Sequence, residues 1–182
     1  AFAYPGDMND EHDAIRDAVG MWDTSALTKT WVRGPDALAA VDYLVTRNMA
    51  KIYVGKSAYV PILKEDGHFC DDGFIFHLED DVFLAVTSIG PTRELLRDWA
   101  TGKNVSIEPD EDLHMISVQG PNSGAFLDPH TAMDLFGLRY CHQEKTALFG
   151  QERIISRTGY SGERGYEIFA PADGVVELWE QL

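Results

Sequence analysis

Val32-Arg33-Gly34-Pro35 and Val118-Gln119-Gly120-Pro121 share one pattern, Val-x-Gly-Pro, and their glycines lie 86 residues apart. What surrounds each copy makes the pattern informative. Before each comes a strand-like run, through Trp31 and Val32 in the first and over 113–118 in the second. After each comes a helix, with proline in the first-turn position that suits it. In the first helix Leu38, Val41, Leu44 and Val45 keep helical spacing. Three strand candidates follow, at 57–63, from Phe69 to Phe76 with Asp71-Asp72-Gly73 as an interruption, and at 82–86. Pro61 confines the first to an edge or a bulge. The last is almost continuously apolar and reads as a buried central strand. Pro91 opens a second helix with Leu95, Leu96 and Trp99 inward, and Gly102 ends it. The second copy repeats the order, with strands at 140–149, 151–158 and 165–170 and a helix from Pro171. We read an internal duplication of a β-α-β-β-β-α unit, copy one covering roughly 24–102 and copy two roughly 113–182. Residues 103–112, polar and acidic, read as the connector. Hairpin-length connections imply an α+β fold with mainly antiparallel sheets, not a βαβ nucleotide fold. The seam between copies of a duplicated fold is a natural place for a pocket. Ahead of both copies, Asn9 or Asp10 can cap a short helix with Ile15, Ala18 and Val19 on its apolar side and Gly20 as its stop.

Composition bounds the function. The chain has 182 residues, 45% of them hydrophobic, which is enough for a real core. Its 30 acidic residues against 15 basic ones give a net charge of −15. Such a balance argues against binding nucleic acid, which needs clustered cations, and against docking on anionic membranes. No apolar run reaches transmembrane length. The two cysteines, Cys70 and Cys141, are far apart and in no CxxC pair. They point to a reducing compartment, the cytoplasm or, in a eukaryote, the mitochondrial matrix, with a single disulfide between them as the alternative. The start, Ala-Phe-Ala-Tyr-Pro-Gly, has no signal-peptide features and no initiator Met, and the helix from Val175 to Leu182 reads as cut off. The chain is therefore expected to be a fragment.

The richest stretch is Arg157-Thr-Gly-Tyr-Ser-Gly-Glu-Arg-Gly-Tyr-Glu-Ile-Phe169, with glycines at 159, 162 and 165. By itself it reads as a glycine-rich hairpin. Glu163 reads as a solvated tip. Glu167, between Tyr166 and Ile168, is harder to place in solvent. A pocket glutamate can accept two parallel hydrogen bonds from a guanidine-like edge such as a pterin or guanine presents. Asp71-Asp72 is the other carboxylate feature. On a strand the two point to opposite faces, so only one can look into a given pocket. A partly desolvated aspartate there can accept a proton or hold a cationic nitrogen. The competing reading of Asp72-Gly73 is a bulge or turn. The six histidines have no metal-ligand spacing. Gly-Tyr-Ser161-Gly lacks the glycine that a nucleophile elbow needs, so a serine hydrolase is rejected.

The 157–168 stretch resembles the R-T-G-Y-T-G-E-x-G-[FY]-E signature of the glycine cleavage system T-protein (aminomethyltransferase) family. Glu11, Arg16, Gly20-Met-Trp-Asp23 and Ser25 resemble its E-x-x-x-x-R-x-x-x-G-M-F-D-x-S. Both Val-x-Gly-Pro motifs, Gly55 with Tyr59, and Asp71-Asp72 also follow its pattern in order. The likeness covers the whole chain, which corresponds to the N-terminal, folate-binding half of a typical member. It implies tetrahydrofolate as cofactor and one-carbon transfer from an amine-type donor. Asp72 then matches the aspartate needed for transfer, Glu167 the glutamate that bonds the pterin, and Tyr59 and Tyr160 tyrosines lining the folate cavity. The 159–165 glycines become clearance for a flat heterocycle.

Several residues depart from the family pattern. Asp23-Thr-Ser-Ala-Leu27 stands where the family has D-V-S-H-M, and Thr87-Ser88 replaces an Asn-Ala pair that contacts folate. Tyr59-Val-Pro61 is closer to demethylases acting on sulfonium, methylamine or methoxy substrates. The expected partners are a small methylated donor and a lipoyl carrier protein. The alternatives are such a demethylase and a non-catalytic folate-binding factor for iron–sulfur assembly.

Overall fold

The structure is a computed structural model that describes residues 6–182. Among the described residues it is a mixed α and β chain with two sheets of five strands each. The described residues divide into two compact units, one of residues 26–113 and one of residues 6–25 with 114–182.

The 26–113 unit runs β2 (Thr28–Arg33), α2 (Ala37–Leu44), β3 (Ser57–Leu63), β4 (Phe69–Glu79), β5 (Val82–Thr87), α3 (Thr92–Ala100) and β6 (Ser106–Pro109). Its sheet has the order β3-β4-β5-β2-β6, with every neighbouring pair antiparallel. The apolar run of β5 lies centrally, as its sequence demands, and β3 with Pro61 is an edge. Val60, Ile62, Ile75, Phe83 and Ala85 alternate onto one face and pack with Val41, Leu44 and Leu96 of the helices. Leu38, expected inward, is 37% exposed, and Ala37 and Ala40 take the buried positions of α2 instead.

The other unit contains α1 (Met8–Asp17), β1 (Gly20–Asp23), β7 (Leu113–Gln119), α4 (Ser123–Leu127), β8 (Gln143–Leu148), β9 (Gln151–Ser156), β10 (Gly165–Pro171) and α5 (Ala172–Gln181). Its sheet order is β1-β7-β10-β9-β8. Ile116, Val118, Ile155, Tyr166 and Ile168 form its core with Leu127 and Leu178. The cap of α1 is Asp7, whose carboxylate accepts from the Asn9 amide at 2.8 Å, and not Asn9 or Asp10.

The repeated Val-x-Gly-Pro motif folds identically in each unit. Gly34 and Gly120 have φ of 123° and 129°, a region that only glycine enters freely. Gly34 N donates to Asp81 O, just before β5, and Gly120 N to Arg164 O, just before β10. Asp36 N donates to Asn104 O, ahead of β6, and Asn122 N to Ala18 O, ahead of β1. So β6 and β1 are equivalent fifth strands.

Two further sequence expectations are corrected. Part of the connector is β6: Ser106 to Pro109 pair with β2 although Ile107 is their single aliphatic residue. An edge strand needs partners more than it needs apolar content. Second, Asp71-Asp72-Gly73 interrupts nothing. β4 runs through it, pairing Asp71, Asp72 and Gly73 with Ile62, Pro61 and Val60. The register shifts lie instead at Ile62/Leu63 and at His77/Glu79. Gly73 is small because a Cβ there would run into the Val86 carbonyl, not because the chain turns.

Candidate functional site

In the 26–113 unit, β4 sends the two aspartates to opposite faces. Asp71 shares the buried face of Ile75 and is 3% exposed. The Thr92 hydroxyl, at the start of α3, donates to its Oδ2, and its Oδ1 accepts from the Asp72 amide at 2.9 Å. Asp71 thus latches the head of α3 to the sheet and has no room for a ligand.

Asp72 looks the other way, beside Phe74, and is half-buried. Tyr59 pairs with Phe74 across the β3–β4 ladder, which puts its ring on that face and its hydroxyl in reach of the diagonal neighbour. The Tyr59 hydroxyl donates to Asp72 Oδ2, and Ser88 Oγ donates to Oδ1 at 3.3 Å. Bonding to Asp72, followed by partial burial and the charge of Asp72, raises the Tyr59 pKa, so the phenol holds its proton and stays a donor. Tyr59 is 49% exposed, so this face is open. Thr87 is buried, with its hydroxyl 2.9 Å from that of Thr28. Ser88 stands out in the sequence only as half of the Thr87-Ser88 departure; its bond to Asp72 appears when β5 lies beside β4.

In the second unit, Glu167 lies on β10 opposite Ser156 of β9. Tyr166 and Ile168 turn into the core, so Glu167 faces the other side of the sheet, yet it is only 4% exposed. The Thr158 hydroxyl donates to its Oε2. Burial pushes its pKa up, and the Thr158 bond opposes that rise. A carboxylate accepts about four hydrogen bonds, and Thr158 supplies one. The group is desolvated, held at one oxygen, and able to take paired N–H donors.

The signature stretch forms a pocket of ≈ 510 Å³ lined by Tyr140, Arg157, Tyr160, Glu163, Arg164 and the 159–165 glycines. Tyr160 is 76% exposed, held by a 3.2 Å bond from Trp22 Nε1 and an edge contact with that ring. Glu163 is no free tip, because Arg16 Nη2 pairs with it at 2.9 Å while Arg16 Nη1 bonds the Ser161 carbonyl at 3.1 Å. The glycines serve a neighbour that sequence reading missed. A Cβ on Gly159 or Gly165 would overlap the Gln119 amide, and the same two glycines also line the pocket. Among the described residues no group of three or more His, Cys, Asp or Glu could hold a metal, and Cys70 and Cys141 form no disulfide.

Residues 2–182 match the family model described as the GCVT N-terminal domain. The chain belongs to the GCVT N-terminal domain family. The resemblance read from the 157–168 stretch is therefore borne out. Among its relatives, the gamma subunit of a heme-dependent oxidative N-demethylase from Ectopseudomonas mendocina is 41% identical over 100% of this chain and 48% of its own. An aminomethyltransferase from Halothermothrix orenii is 33% identical over 95% of this chain and 49% of its own. In structure, the glycine cleavage system aminomethyltransferase T of Bartonella henselae superposes with a TM-score of 0.87 at 27% identity, covering 97% of this chain and 48% of that one. This GCVT-domain chain spans about half the length of the curated relatives it matches. Among the described residues no helix is long and apolar enough to cross a membrane.

Proposed function

We propose that this chain is the folate-binding part of an enzyme that moves a one-carbon unit from an amine-type donor to tetrahydrofolate, in the manner of an aminomethyltransferase. The observation that carries the reading is Glu167. A carboxylate buried to 4% exposure with acceptor capacity to spare is costly unless a ligand with several N–H donors uses it. A pterin edge has those donors in a parallel pair, so the residues fit the group. Glu167 holds that edge, and Tyr160, Tyr59 and Thr87 belong to the folate-binding set. Tetrahydrofolate supplies, when bound, the nitrogens that take the one-carbon unit. Forming a bond from carbon to an amine nitrogen releases a proton, and Asp72 is the group we assign to receive it. Tyr59 and Ser88 hold the Asp72 carboxylate in place through both oxygens. This is the arrangement expected of a positioned general base.

The donor is the finer question. In an aminomethyltransferase reaction a lipoyl carrier protein presents the one-carbon unit. The 41% identity to an oxidative N-demethylase subunit favours a second reading, in which the unit comes from an N-methylated amine oxidised by a partner subunit. Formation of methylene-tetrahydrofolate by the full-length protein tests both. Turnover with an aminomethyl-loaded lipoyl carrier supports the first. Turnover with formaldehyde, or with an N-methyl amine and the oxidising partner, supports the second. Folate binding with no turnover from any of these donors leaves a non-catalytic folate-binding factor and overturns both.

A further inference from the structure

The Gln119 side chain is completely buried in the second unit, and every polar atom it carries is used. Its Nε2 donates to the Thr158 carbonyl at 3.0 Å and to Ser117 Oγ at 3.1 Å. Its Oε1 accepts from Ser161 Oγ at 2.8 Å, and Ser161 Oγ in turn accepts from the Glu163 amide at 3.2 Å. The two glycines that border the loop, Gly159 and Gly165, lie against this amide so closely that neither could carry a Cβ without displacing it. An amide that ties down a loop while two glycines make room for it has the geometry of a template. Its main-chain target is Thr158, whose hydroxyl is the donor to Glu167.

We propose that Gln119 is a positioning residue: by bonding the Thr158 carbonyl and Ser161 it sets the backbone from which Thr158 aims its hydroxyl at Glu167, and so fixes the carboxylate for the pterin edge. The alternative is that Gln119 only fills space and stabilises the loop. The two differ in what they demand of the shape. A filler needs volume and tolerates an apolar side chain such as leucine. A template needs an N–H donor pointing at Thr158 and an acceptor for Ser161, and leucine has neither. Glutamate keeps the acceptor but puts a carboxylate against the Thr158 carbonyl, so it fails as well. Asparagine has the chemistry but is one methylene too short to span the same contacts.

The assignment deepens the folate reading and rests on it only for the ligand; its first readout needs no ligand. The experiment is a 13C NMR titration of the Glu167 carboxyl in the full chain, for wild type, Gln119→Leu and Thr158→Val. Thr158→Val removes the hydroxyl that lowers the Glu167 pKa, so its titration moves up. If Gln119 acts through Thr158, Gln119→Leu moves it in the same direction, and the double variant moves it no further than Thr158→Val alone. Gln119→Leu then also weakens tetrahydrofolate binding by up to about tenfold, the scale of one misplaced hydrogen bond. A folded Gln119→Leu protein with the wild-type Glu167 titration overturns the proposal. Should Gln119→Leu not fold, Gln119→Asn is measured the same way, and a wild-type titration there overturns it equally. If the wild type does not bind tetrahydrofolate while the titrations couple as described, the folate reading fails and the positioning role stands.

Discussion

Replacing Glu167 by Gln should make the protein more stable and a worse folate binder at once. The carboxylate is 4% exposed, and burial is the main reason its pKa rises. A raised carboxyl pKa means that the folded state favours the protonated form. The ionised form therefore costs stability, fully so above the folded pKa and not at all below the unfolded one. Glutamine carries no such cost, keeps the shape and can still accept the Thr158 hydroxyl. Glu167→Gln should thus melt higher than wild type at about pH 8, and the gap should close toward about pH 4. Binding moves the other way. Glutamine presents one acceptor oxygen and an NH2 group, so one donor of the pterin edge meets another donor. Losing a charge-assisted hydrogen bond costs about 1.5–3 kcal/mol, or about 10- to 150-fold in affinity. Thermal unfolding across pH and calorimetry with tetrahydrofolate measure both quantities on one sample. A variant that melts below wild type at alkaline pH, or that binds folate as tightly as wild type, would refute the reasoning about this carboxylate.

Asp72→Asn should leave tetrahydrofolate affinity within a few-fold of wild type and lower turnover by about 10²–10⁴, the usual contribution of a positioned base; unchanged turnover removes Asp72 from the chemistry. Asp71→Ala should behave in the opposite way, lowering stability by about 1–3 kcal/mol in denaturant unfolding because the Thr92 hydroxyl loses its acceptor. Gly165→Ala, whose new methyl would overlap the Gln119 amide, should lower stability by about 1–3 kcal/mol, and shortening Gln119 to Ser in the same chain should recover part of that loss.

Much of the fold is legible along the chain because it is local. Pro61 marks an edge, the apolar run 82–86 marks a central strand, and the two Val-x-Gly-Pro corners mark the duplication. What is not legible depends on distant partners. Ser106 to Pro109 are a strand only because β2 offers them an open edge. That Gly159 and Gly165 also make room for Gln119 is not legible, because nothing near them in sequence points to that residue, some forty residues earlier. The Asp71-Asp72 pair is legible as a choice of faces, but which aspartate is spent on structure depends on where Thr92 falls. Glu167 stood out correctly as a residue not destined for solvent, since its neighbours in β10 are all buried except Pro171.

The most direct test of the central claim is calorimetric titration of the full-length wild-type protein with tetrahydrofolate and with its 5-formyl form. The account predicts saturable binding of one folate per chain, weakened by Glu167→Gln and retained by Asp72→Asn. Absence of binding to either folate by folded protein would contradict it.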